Sequence, residues 1–242
     1  MASDRSGKRS GAGVDVSHPE SKRPIGAVTI AVIAACAVAI TASAWVLLRD
    51  ATSRHAEAMV AEQDRALTMG TPDAFATVEP VPLDAPDRAL LANALLLARS
   101  VPPASAGSEA QRVTLERALT QTLLVIRKHP RWGDAWALAA FVYSRRDGPT
   151  ADTALSALTQ SYRYAPFLRS AGPWRFATAL ASWDALNAET RSNAVAEGVW
   201  LARLDPRLNR DVLQLVRSSD AYGDFMIQLL ATHRLDVGSD QP

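Results

Sequence analysis

Three alanine–proline pairs at one fixed spacing constrain this chain more than any other feature. Ala118 stands 12 residues before Pro130, Ala154 stands 12 before Pro166, and Ala194 stands 12 before Pro206. Each alanine lies in a segment of helical periodicity, and each proline closes that segment, because a residue preceding proline avoids the helical region. The prolines are 36 and 40 residues apart, the period of a helix-pair repeat. One helix pair has too little core to stand alone, so the repetition predicts a stack of neighbours.

The middle unit, Trp132 to Pro166, shows the pattern most fully. Trp136, Ala139, Ala140 and Tyr143 share one face of a first helix, at 3.6-residue spacing. Asp147, Gly148 and Pro149 break it, and a second helix runs from Thr150 to Tyr164 with Ala154, Leu158 and Ser161 inward. The series Trp136, Ala139-Ala140, Tyr143, Ala154 and Pro166 resembles the tetratricopeptide repeat. That family carries a Leu-Gly pair where this chain has Ala-Ala, and its turn is shorter. The flanking units keep mainly the second-helix alanine and the proline. The resemblance covers roughly residues 86–206 and implies an all-α helical-repeat solenoid whose concave surface binds other proteins.

The rest of the chain divides by composition. Residues 1–24 are polar, rich in Ser and Gly and without apolar periodicity, which predicts a disordered N-terminus. Residues 25–48, from Ile25 through Cys36 and Trp45 to Leu48, hold no charge over 24 positions. A bilayer core needs about 20 apolar residues, so this run is long enough to span. Five basic residues within 20 positions precede it (Arg5, Lys8, Arg9, Lys22, Arg23) and three follow (Arg49, Arg54, Arg65), which places the N-terminus inside. We read the run as an uncleaved signal anchor. Ala42-Ser43-Ala44 fits a cleavage site, but the run exceeds a cleavable signal's length. Ile33-Ala34-Ala35-Cys36 loosely fits a lipobox, but 12 further uncharged residues follow Cys36. The expected location is a bacterial inner membrane, single-pass, with a cytoplasmic N-terminus and a periplasmic C-terminal domain.

Residues 49–85 read as a helical stalk, with charges alternating in sign, followed by a proline-rich linker. Residues 86–234 read as the repeat domain. Its expected helices are Asp87 to Ser100, Ser108 to His129 (Val113, Leu119, Leu123 and Ile126 inward), the two of the middle unit, Trp174 to Leu186, Thr190 to Leu204, Leu208 to Arg217 and Tyr222 to His233. Residues 235–242 read as a frayed tail. No segment shows strand alternation.

Chemistry is sparse. With 26 basic against 25 acidic residues the chain lacks the basic excess of a nucleic-acid binder. Cys36 is the single cysteine, so there is no intrachain disulfide and no cysteine metal site. No Gly-rich phosphate loop, HExxH or GxSxG occurs, and the four histidines (His18, His55, His129, His233) fall in unrelated segments. Asp184, Glu189, Asp205 and Asp211 read as caps and turn residues. We therefore expect no enzyme, no metal and no cofactor.

A protein partner is expected instead. Asp134, Leu138, Phe141 and Arg145 lie opposite the packing face of the first helix of the middle unit. Trp132 and Trp174 sit at helix starts, where an aromatic is accessible. Packing of Leu138 and Phe141 on an adjacent helix is the competing account of that face. The stretch SYRYAPFLRSAGPWRF…ASWDAL…ARLDP looks like small anchored helical proteins that accompany surface-polysaccharide assembly. That resemblance implies a polysaccharide polymerase, ligase or exporter as partner. The alternative is a periplasmic chaperone-like repeat protein for secreted clients such as apocytochromes or outer-membrane proteins.

Overall fold

A computed structural model describes residues 27–68, 78, 81–102 and 108–239, and among these the chain is all-helical with no strand. The helices are α1 (Ala27–Thr68), α2 (Asp87–Ser100), α3 (Glu109–Lys128), α4 (Gly133–Arg146), α5 (Asp152–Tyr164), α6 (Gly172–Ala181), α7 (Ala188–Leu204), α8 (Pro206–Arg217) and α9 (Tyr222–Ser239), with a 3-10 turn at Trp183–Ala185. Ile25, the expected disordered segment and most of the expected linker lie outside the described residues. The chain divides into two compact units, Met1–Val46 and Leu47–Pro242.

The first unit contributes one helical run with every described side chain exposed. Its helix is long and apolar enough to cross a membrane, with mean hydropathy 2.4. Two of its hydroxyls are satisfied within the helix. Thr41 donates to the Ala37 carbonyl at 2.9 Å and Ser43 to that of Ala39 at 2.8 Å. A hydroxyl bonded to its own helix is what a hydrocarbon surrounding requires. Cys36 is exposed on this helix.

The second unit is a succession of helices joined by short turns, each packing on its successor or next-but-one neighbour. α3, α5 and α7 each end two residues before a proline, at Lys128, Tyr164 and Leu204. The residue between, His129, Ala165 or Asp205, has left the helical region at φ −131°, −145° and −150°. Ala118, Ala154 and Ala194 are all buried. Their missing side-chain bulk lets neighbouring helices approach.

Caps fix the helix starts. Ser108 and Gln111 form a reciprocal capping box on α3, Asn187 accepts from the Thr190 amide at 2.8 Å, and Asp205 accepts from that of Arg207 at 2.7 Å. The helix expected over 174–186 stops at Ala181, and the Ser182 hydroxyl turns to the Pro149 carbonyl at 3.4 Å. Val113, expected inward, is 42% exposed. The buried stripe of α3 is Leu115, Ala118, Leu119, Thr122, Val125 and Ile126, which leaves Val113 on the far side. α9 continues to Ser239, beyond the expected end of the domain at 234.

The core has three bodies, one of them formed by Leu97, Leu115, Leu119, Leu138 and Val142 of α2, α3 and α4. A second gathers Ala56 of α1 with α2, α3, α4 and α5 around Leu90, Leu158 and Tyr162. The third gathers α6 to α9 around Phe176, Leu201, Val216 and Phe225. Each fully buried leucine or phenylalanine contributes about 2 kcal/mol relative to exposure.

Candidate functional site

The expected partner face of α4 is split by packing. Asp134 is exposed in the first turn, where a carboxylate complements the helix dipole. Leu138 is buried at 8% exposure in a cluster with Leu97 and Val142. It is therefore a packing residue and no part of an accessible surface, because α2 lies against this side of α4. Trp132, at the start of α4, meets the His129 ring edge-on at 5.7 Å. His129, capping α3, donates through Nε2 to the Asp87 carboxylate at 2.9 Å, which is a pairing role.

Three of the expected residues do come together. Phe141 of α4 and Trp174 of α6 are half-buried and meet edge-to-face, centroids 5.2 Å apart at 89°. That is a favoured aromatic geometry. The Arg145 guanidinium lies 5.8 Å from the Phe141 centroid and donates to the Val101 carbonyl at the end of α2. Burial lowers its pKa from the usual guanidinium value. Among the described residues no carboxylate pairs with it. Trp132 and Asp134 sit about two turns or more back from Phe141 along α4, and so form no part of this group. The result is a ladder of Arg145, Phe141 and Trp174 bridging α4 and α6. Chemically it offers a flat aromatic step beside a cation not offset by a carboxylate, which suits a carboxylate or an aromatic side chain.

A second constellation was not read from the sequence. Arg175 of α6 and Glu197 of α7 form an ion pair with no exposed surface on either side chain. Arg175 Nε donates to Glu197 Oε2 at 3.2 Å, and Nη1 donates to the Ser161 hydroxyl at 2.8 Å and the Ala165 carbonyl at 2.9 Å. Nη2 donates to Glu197 Oε1 and, at 3.3 Å, to the Pro166 carbonyl. Ser161 donates onward to the Gly133 carbonyl at 2.9 Å, and Glu197 Oε1 accepts from the Leu168 amide at 3.0 Å. The guanidinium also stacks on Tyr162, 4.3 Å from its centroid. Burial pushes the Glu197 carboxyl up from its ordinary value, with Arg175 opposing, and pushes the Tyr162 phenol well up.

This network joins α4, α5, α6, α7 and the 165–171 segment. It is sealed from solvent, so no substrate reaches it, and its work is to hold the hairpins in register. The available signal was a lone charge in each of two apolar stretches, Arg175 in GPWRFATALA and Glu197 in AVAEGVWLA. Opposite lone charges of this kind imply a buried pair.

Among the described residues no group of three or more His, Cys, Asp or Glu side chains could hold a metal ion. No protein-family model, no curated protein and no solved structure matches the chain. Among the described residues the fold defines an all-helical protein with one N-terminal helix long and apolar enough to cross a membrane.

Proposed function

We propose that this chain is a membrane-anchored helical-repeat scaffold, similar to the tetratricopeptide class, that holds a protein partner in the bacterial envelope. The domain lies on the periplasmic side, following the basic residues before the apolar run. The observation that carries the reading is the ladder of Arg145, Phe141 and Trp174, which bridges two helical hairpins and stays partly exposed. The partner proposed is a membrane protein of surface-polysaccharide assembly, a polymerase, ligase or exporter. It docks an acidic or aromatic side chain on the ladder.

The test is crosslinking of the tagged full-length chain in intact cells, followed by purification from membranes and identification of what is bound. One polysaccharide-assembly membrane protein is expected in stoichiometric yield. It should be lost when Phe141 and Arg145 are both changed to Ala, and again with Trp174→Ala, while helix content by circular dichroism is unchanged. A broad set of unfolded secreted clients would replace this reading with the chaperone one. Recovery unaffected by the three substitutions would remove the ladder as the site.

A further inference from the structure

We infer that one end of the second unit rests on an anionic phospholipid surface. The inference depends on the reading of α1 as a membrane helix.

Several contacts collect the turns between hairpins at a single end. Lys128 and His129, closing α3, bond Asp87 at the start of α2 at 2.8 and 2.9 Å. Ser161 of α5 bonds the Gly133 carbonyl at the start of α4, and Arg175 near the start of α6 bonds the Ala165 carbonyl that closes α5. Phe167 lies against Trp200, near the end of α7, with centroids 5.5 Å apart. The starts of α2, α4, α6 and α8 and the ends of α3, α5 and α7 therefore share this end.

The same end carries exposed arginines: Arg127, Arg131, Arg163, Arg169, Arg207 and Arg210. None of them is in an ion pair among the described residues. Of the carboxylates here, Asp87 is taken by Lys128 and His129, Asp205 caps α8, and Asp84, Asp134 and Asp211 are exposed, fewer than the arginines around them. At the opposite end, where hairpins turn within themselves, Asp147, Asp152, Asp184, Glu189 and Asp220 accompany the arginines. A nearly neutral chain thus leaves an excess of positive charge at this end and of negative charge at the other.

The chain itself marks which way that end faces. Within the second unit α1 runs alongside α2 in the same sense, with Glu57 beside Arg88 at 3.8 Å and Asp64 beside Arg99 at 2.7 Å. Within this unit the residues of α1 from Leu47 to Arg54 therefore project past the start of α2, at the arginine-rich end. Ser53 is buried, while Leu47 and Leu48 are 67% and 69% exposed and close the uncharged run. Five residues of helix separate Leu48 from Ser53, about 8 Å. An arginine side chain reaches across that gap to lipid phosphates where the apolar run ends. Basic residues at this distance are attracted to anionic headgroups and fade from influence beyond a Debye length.

The experiment uses the full chain in lipid nanodiscs with an environment-sensitive fluorophore on one thiol. Native Cys36 reports the anchor. Ser170→Cys, in the α5–α6 segment, reports the arginine-rich end, and Ser218→Cys, after α8, reports the other. Both of these carry Cys36→Ser. With a headgroup spin-label quencher and roughly one-third phosphatidylglycerol, quenching at 170 should exceed that at 218 by about threefold. It should fall to the 218 level in neutral lipid, and also on changing Arg127, Arg131, Arg163 and Arg169 to Gln. Equal quenching at both ends, or quenching at 170 indifferent to lipid charge, overturns the proposal. So does tight binding of soluble acidic polysaccharide with no effect of phosphatidylglycerol, which would assign the arginines to sugar acids. If Cys36 is quenched by an acyl-chain label and Ser170 is not, this proposal alone falls. If Cys36 is not quenched, the anchor reading falls and takes the proposal with it.

Discussion

Arg175 of α6 and Glu197 of α7 pair with neither side chain reaching solvent. Taking both charges out of water is costly, and their attraction offsets that cost only because other groups complete the bonding. Here Ser161, two backbone carbonyls and the Leu168 amide complete it. Removing one partner leaves an uncompensated buried charge. Arg175→Ala or Glu197→Ala should each cost about 3–5 kcal/mol in urea unfolding followed by circular dichroism. The double replacement Arg175→Met with Glu197→Leu should cost less than either single change. A single variant as stable as the parent would mean that water enters the site.

Ser161 links this pair to the start of α4, since it accepts from Arg175 and donates to the Gly133 carbonyl. Ser161→Ala creates no large cavity but leaves both partners short of a bond. We expect a loss of about 1–3 kcal/mol, read as a lower urea midpoint at unchanged slope. No shift in midpoint would show that the two groups find each other without the hydroxyl.

Gly198 and Gly223 should respond in opposite directions to the same change. A Cβ at Gly198 would overlap the Phe176 ring, so α6 and α7 meet where only glycine fits. Gly198→Ala should cost about 2 kcal/mol by overpacking. Gly223 in α9 faces open space, and Gly223→Ala should gain roughly half a kcal/mol from helix propensity. Differential scanning calorimetry of the two variants settles it, and a shift of the same sign in both would refute the account.

Asp147 gives a pH signature. Arg146 binds its carboxylate with two bonds of 2.7 and 2.8 Å, and the Thr153 hydroxyl adds one at 3.1 Å. These hold the carboxyl below its ordinary value of 3.8. A lowered folded pKa means stability that is present above 3.8 and lost as pH falls through the folded value. Asp147→Asn should therefore cost roughly half a kcal/mol at neutral pH, a cost that shrinks below the ordinary carboxylate range. Urea midpoints of both proteins at pH 6 and pH 3 test this. A gap of constant size at the two pH values would contradict it.

Local chemistry was the readable part of this chain. Pro130, Pro166 and Pro206 set helix ends because proline acts on its immediate neighbour. Ser108 and Asp205 set helix starts for the same local reason. Ala154 was legible as core within the middle unit, and Ala118 and Ala194, read only as sharing its spacing, are buried as well. Val113 was placed on the wrong side, and of the two accounts of Leu138 the packing one holds, since periodicity gives a stripe but not which neighbour covers it. Arg175 and Glu197 were missed because a pair separated by 22 positions forms only once α6 and α7 have docked. Of the α4 partner face, Phe141 and Arg145 stayed together with Trp174, while Leu138 went to the core and Trp132 and Asp134 to the helix start.

Three backbone groups of the 165–171 segment, the Ala165 and Pro166 carbonyls and the Leu168 amide, are bonded directly to the buried pair. That makes the length of this connection a structural quantity. One added or deleted residue would slide a carbonyl or an amide away from a charge that has no water to turn to. The α4–α5 turn, with Thr150 exposed, has no such tie to a sealed charge. A peptide tag or a reporter domain belongs beside Thr150, and the stretch after Pro166 should accept none.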